Sequence, residues 1–244
     1  MRYSASVALL NHYNHTNMHQ LNALNRMRPA TQLLYETLRQ RILSMELYPG
    51  MGLSRSELAQ QHGVSQTPIR DALMRLQAED LVEVFPQAAT QVSKIRLSQA
   101  RKSHFLRKSI ELELVRELCL APEKSVVARL RASLVLQEGL LEANDQKAFV
   151  QADHEFHSEF YLAAGQEDLW RLIQSRSGHI DRLRQLGMPE EGMMRRVLQE
   201  HEKIVDAIAD GDAERACYAL RRHLETTLED ADQIRKKYPD SFVD

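Results

Sequence analysis

The chain has 244 residues, 43% of them hydrophobic and 27% charged, with a formal net charge of −2. That length and balance suit one large or two small globular domains with a real core, and they exclude a strongly basic nucleic-acid coat. No apolar run approaches the eighteen residues of a membrane span, and Val7 to Leu10 is too short for a signal peptide, so the expected compartment is the cytoplasm. Cys119 and Cys217 stand far apart in apolar helical patterns and read as free thiols.

Residues 1–29 form a section of their own, rich in Asn and His with little periodicity. They read as a flexible extension. It carries Arg2, Arg26 and Arg28 without an acidic residue, and its His12, His15 and His19 fit a disordered polar tail better than a metal site. A regular pattern begins at Ala30. Leu33, Leu34, Leu38 and Ile42 make a helical stripe that "YPGMGL" ends with a Pro-Gly turn. "SRSELAQQHG" opens a second helix, with Ser54 and Glu57 at capping-box spacing and Gly63 as its stop. "VSQTPIRDALMRLQAEDL" opens a third, with Ser65 placed to cap it and Pro68 in its first turn. "LVEVFP" and "TQVSKI" read as a strand and its return.

Beyond Ser98 the pattern is helical throughout. Helices are expected near 98–120, 122–143, 145–163, 167–186, 190–210 and 212–237, each with an apolar stripe, packed into one bundle. The fold class is mainly α: a winged helix-turn-helix over residues 30–96, then an all-helical bundle of about six helices over 97–238.

Three helices and a hairpin of this spacing form a reader of duplex DNA. Ser65, Gln66, Thr67 and Arg70 lie on the polar side of the third helix, opposite Ile69, Leu73 and Leu76. Arg55 is within reach of a phosphate, and Gln87 lies in the wing.

In the bundle, "QADHEFHSEFY" puts Asp153 and His157 four positions apart, on one helix face. His201 lies ten residues before the Gly211 turn and His223 twelve after it. At about 1.5 Å per residue the rises are about 15 and 18 Å, so the two imidazoles come to nearly one height in an antiparallel pair. A single inward histidine is more often a packed core residue than a ligand. One carboxylate and three imidazoles together suit a divalent cation: Zn²⁺, Ni²⁺, Mn²⁺ or Fe²⁺. His-Glu-Phe-His is not the zinc-protease motif, which needs three residues between its histidines.

"PGMGLSRSELAQQHGVSQTPIRDALMRLQAEDLVEVFPQ" resembles the DNA-binding domain of GntR-type bacterial transcription regulators, and the helical remainder resembles the FCD ligand-binding domain of the FadR subfamily. The resemblance covers everything except the tail. It implies a cytoplasmic homodimer that binds double-stranded operator DNA and represses until an effector releases it. It implies a metal held by Asp153, His157, His201 and His223, with Zn²⁺ first and Ni²⁺ or Mn²⁺ as alternatives. It also implies a small carboxylate or sugar-acid effector held by Arg107, with Arg182 or Arg184 as a second cation. His104, His179 and Trp170 read as packing residues. The chain departs from the family where Gln66 replaces a DNA-contacting arginine, and where the wing "PQAATQ" lacks glycine and basic residues. Residues 30–95 hold six basic and seven acidic side chains, which weakens the electrostatic part of DNA affinity, and the arginines of the tail are expected to supply part of it. Two other readings stay open: a regulator in which the cation itself is the signal, and a helical metalloenzyme using Glu155 or Glu200 as base.

Overall fold

A computed structural model describes residues 30–85, 90–190 and 192–243. The expectations placed on residues 1–29, and on Gln87, lie outside the described residues.

The N-terminal unit contains α1 (Ala30–Leu43), β1 (Gly52–Leu53), α2 (Arg55–His62), α3 (Gln66–Ala78), β2 (Val82–Val84) and β3 (Thr90–Val92). Leu38, Ile42, Leu58, Ile69, Leu73 and Leu76 meet in its core. The helix ends follow local chemistry. Ser54 Oγ accepts the Glu57 N–H at 3.3 Å, and Gly63 closes α2 at φ 64°, a left-handed conformation that costs glycine little. Ser65 occupies the N-cap position of α3, but its side chain makes no capping bond, which corrects the expected cap. The sheet has the order β1-β3-β2, all antiparallel. Its β1 strand falls in a stretch read from sequence as turn alone.

The second unit comprises α4 (Leu97–Leu120), α5 (Lys124–Glu142), α6 (Gln146–Ala163), α7 (Glu167–Arg176), α8 (Gly178–Gly187), α9 (Met193–Ala209), α10 (Ala213–Glu229) and α11 (Ala231–Lys237). Two expected helices are each divided. The 167–186 segment breaks at Ser177, whose hydroxyl bonds back to Gln174 O at 3.1 Å. There Gly178 packs so tightly on Leu81 of the N-terminal unit that a Cβ would lie 2.5 Å from Leu81 Cδ2. The 212–237 segment breaks at Asp230, and Ala231 and Ile234 turn into a separate core with Ile95, Ile180, Leu183 and Phe242. The chain also stays ordered past Tyr238. After a short turn, β5 (Phe242–Val243) pairs in parallel with β4 (Ile95–Arg96), the segment that joins the two units. The return strand is therefore shorter than expected, because Ile95 and Arg96 leave the wing sheet for this second pairing.

Candidate metal centre and DNA-reading face

Three helices bring the four predicted ligands together. Asp153 and His157 come from α6, His201 from α9 and His223 from α10, all buried, with ligand atoms within 4.8 Å of one another. His157 Nε2 lies 3.0 Å from His223 Nε2, which lies 3.3 Å from His201 Nε2. Asp153 Oδ1 is 3.6 Å from His201 Nε2. Phe156 stacks on His201 with centroids 4.0 Å apart and meets His157 edge-on at 5.4 Å, so apolar rings hold both imidazoles in place.

The other nitrogen of each imidazole is anchored outward. His157 Nδ1 donates to Glu111 Oε2 at 2.9 Å, His201 Nδ1 to Gln137 Oε1 at 2.8 Å, and His223 Nδ1 to Glu200 Oε2 at 3.1 Å. An oxygen acceptor at each Nδ1 places the proton there and leaves an Nε2 lone pair facing inward. Burial lowers His157 to about 4, against the raising effect of Glu111, and takes His201 well below the usual histidine range. Both are therefore neutral near pH 7, as ligation requires. Three inward lone pairs with nitrogens 3.0 and 3.3 Å apart repel one another unless a cation sits among them. Those separations match the edges of a coordination polyhedron with metal–nitrogen bonds of about 2.0–2.1 Å.

Asp153 completes the set. Its Oδ2 accepts from Arg184, while Oδ1 is buried and has no hydrogen-bond partner. Burial pushes this carboxyl up, but the Arg184 guanidinium beside it outweighs that and holds it well below the usual carboxylate range. A buried, unpartnered carboxylate oxygen beside three lone pairs fits a divalent cation.

Two arginines surround the cluster. Arg107, on α4, donates from Nε to Glu111 at 2.7 Å, and its Nη2 is buried without a partner. Burial pushes Glu111 up, but Arg107 and His157 overcome it and bring the carboxyl down to about 2. Arg184, on α8, likewise keeps a buried Nη1 without a partner. Arg182 faces the other way: its guanidinium is taken up by Gly178 O at 2.9 Å, Ser93 O at 2.6 Å and Ser93 Oγ at 3.2 Å. Of the two candidate second cations, Arg184 reaches the cluster, and Arg182 is a link between units. Sequence reasoning did not single out Glu111, Gln137 or Glu200 as histidine anchors. Glu111 carried one signal, its four-residue spacing from Arg107.

On the DNA-reading unit, Arg55, Ser65, Gln66, Thr67 and Arg70 are all exposed, while Ile69, Ala72, Leu73 and Leu76 of the same helix are buried. Arg70 is 66% exposed and lies 3.9 Å from Asp71. Arg75 is occupied otherwise, stacked 3.9 Å over the Tyr35 ring. His104 and His179 are packing residues: His104 Nε2 lies 3.1 Å from Leu224 O, and His179 Nδ1 accepts the Arg96 N–H at 3.1 Å.

A winged helix-turn-helix followed by a helical bundle is the architecture of a DNA-binding regulator with a second, helical domain. Comparison with known proteins gives the family. Residues 30–92 match "Bacterial regulatory proteins, gntR family", and residues 103–226 match the FCD domain. The chain is 36% identical over 210 residues to an uncharacterised HTH-type transcriptional regulator in an unstable DNA locus of Streptomyces ambofaciens, covering 86% of this chain and 88% of the relative. It is 28% identical over 219 residues to the HTH-type transcriptional repressor RspR of Escherichia coli K12, covering 90% and 96%. Among solved structures, E. coli McbR/YncC superposes with a TM-score of 0.74 at 20% identity, over 85% of this chain and 99% of that one, which shows the shared fold. The chain belongs to the GntR family of bacterial transcription regulators, in the group with an FCD domain. That membership makes it a DNA-binding regulator rather than an enzyme, and the metalloenzyme reading falls away. No described helix is long and apolar enough to cross a membrane.

Proposed function

We propose that this regulator is a cytoplasmic homodimeric repressor, which reads operator DNA with residues 30–96 and senses a small acid at a metal-containing bundle over 97–238. The carrying observation is the convergence of three histidine Nε2 atoms and one unpartnered Asp153 oxygen, each histidine anchored by an oxygen acceptor behind it. Asp153, His157, His201 and His223 would hold the ion, with Zn²⁺ first for this donor set and Ni²⁺ or Mn²⁺ as alternatives. A bound divalent ion supplies positive charge and coordination positions for an oxygen ligand. The buried N–H groups of Arg107 and Arg184 that lack partners supply the rest of a carboxylate site.

Paired half-sites need two readers, hence the dimer. Arg55, Ser65, Gln66, Thr67 and Arg70, all exposed, would form the DNA face. The test is direct. Duplexes selected by the protein from a random library are bound to metal-loaded and to chelated protein, and small organic and sugar acids are titrated in. Release by an acid only from the metal-loaded form supports the reading. Release that tracks metal alone, with no acid effective, replaces it with the cation as signal.

A further inference from the structure

Beside the cluster lies a groove with an empty volume of about 430 Å³, bounded by α8, α9, α10 and α11. Two of its lining residues belong to the proposed acid site: His223, and Arg184 with its buried, unpartnered Nη1. Most of the remaining wall is apolar, made by Leu183, Met188, Met193, Val197 and Ile234. Thr226 lines it too, but its hydroxyl is committed, donating to Arg222 O at 3.1 Å and accepting from Arg196 at 3.0 Å. Thr227 and Asp230 are further polar lining residues, both half-buried.

We propose that the effector is a monocarboxylic acid with a short aliphatic or aromatic tail, its carboxylate at Arg184 beside the cluster and its tail among Met193, Val197 and Ile234. This rests on the acid-effector reading above and narrows it. A polyhydroxylated acid would leave hydroxyls unpaired against leucine, methionine and valine, and each unpaired hydroxyl costs binding energy. A second carboxylate would face Asp230. Two methionines give a wall that reshapes around tails of different outline. The groove is narrow between its four helices, which sets the tail short.

The experiment is calorimetric titration of the full-length, Zn²⁺-loaded protein with acetate, butyrate, hexanoate, phenylacetate and gluconate. Affinity is expected to rise about fourfold per added methylene from acetate to hexanoate. Gluconate is expected to bind at least tenfold more weakly than hexanoate. Met193→Gln and Val197→Thr should flatten the chain-length dependence and leave acetate affinity unchanged. Gluconate binding as tightly as hexanoate, or affinity independent of tail length, overturns the inference and leaves the acid-effector reading standing. If Zn²⁺ is bound and none of the acids binds, that reading and this inference fall together.

Discussion

Arg182 and Arg184 stand two positions apart on α8, and their guanidinium groups reach different domains. Arg184 holds Asp153 of the ligand cluster, and Arg182 holds the backbone and hydroxyl of Ser93, just past the wing. One helix of ten residues thus touches both the histidine cluster and the DNA-reading unit. Replacing Arg182 with methionine keeps most of the buried volume but leaves Ser93 O without its donor. The expected cost is about 1–3 kcal/mol of stability, measured by denaturant unfolding with the ion present. Operator affinity should fall with it, while the affinity for metal stays unchanged.

Metal removal should destabilise the bundle. An ion bound at a thousand times its Kd adds about 4 kcal/mol of native stability, so a strong chelator should lower the melting temperature, and re-added Zn²⁺ should restore it. His223→Ala should abolish that restoration. Gln137→Leu removes the acceptor that anchors His201 without touching a ligand, and should weaken metal affinity by about 10–100-fold. A metal affinity unchanged in Gln137→Leu would show that the outward anchors do not orient the site.

On the proposed DNA face, Arg70 is the exposed cation of α3 that is not stacked on a ring, as Arg75 is on Tyr35. Arg70→Ala should lower operator affinity and reduce the slope of log affinity against log salt by about 1, the signature of one lost phosphate contact. A fall in affinity with the slope unchanged would assign Arg70 to a base edge instead. Gln66→Ala, which removes no charge, should lower affinity without altering the slope.

Acid should loosen the joint between the units through His179. Burial, together with the charges of Arg182 and Arg96, lowers its pKa to about 3 from an ordinary 6.5. The folded state therefore keeps this imidazole neutral, with Nδ1 accepting the Arg96 N–H. A depressed histidine pKa means that the unfolded chain takes up the proton first. The stability it contributes is fully present above about pH 6.5 and is lost as pH falls toward 3. His179→Gln keeps an acceptor and removes the titration, so its melting temperature should fall less steeply than wild type between pH 6.5 and 4.5. Parallel curves for the two proteins would rule out His179 as a contributor.

Much of this was legible in the chain itself, for physical reasons that differ from place to place. Ser54 with Glu57, and Gly63, mark helix ends through local chemistry, and the ends fall there. The convergence of the four side chains was legible because helical geometry puts Asp153 and His157 on one face and sets His201 and His223 at matching heights around Gly211. The breaks at Ser177 and Asp230 were not, because contacts distant in sequence impose them: Leu81 against Gly178, and the core of Ile95 and Phe242 around Ile234. The choice between Arg182 and Arg184 was equally hidden. Two positions on a helix differ by about 200° in direction, and only the packing of α8 decides which side faces the bundle. The β4–β5 pair joins strands of two residues, too short to show any alternation.

Gly178 offers a sharp check on that joint. Alanine is a better helix former than glycine, so Gly178→Ala would stabilise an isolated helix. Here its Cβ would meet Leu81 Cδ2 at 2.5 Å. The expected outcome is a net loss of about 1–3 kcal/mol, relieved in the double variant with Leu81→Ala relative to the sum of the single changes.

The parallel pairing of Ile95–Arg96 with Phe242–Val243 bears on how the protein is made. The first strand leaves the ribosome long before the second, with the whole helical bundle still to be synthesised between them. A contact so distant along the chain closes late, because the ordering of everything between must come first. The DNA-reading unit, whose contacts are local, emerges and folds while its exit strand is still unclamped. A newly made chain thus holds a finished reading head that first α8, through Gly178 and Arg182, and only later β5, can dock onto the helical bundle.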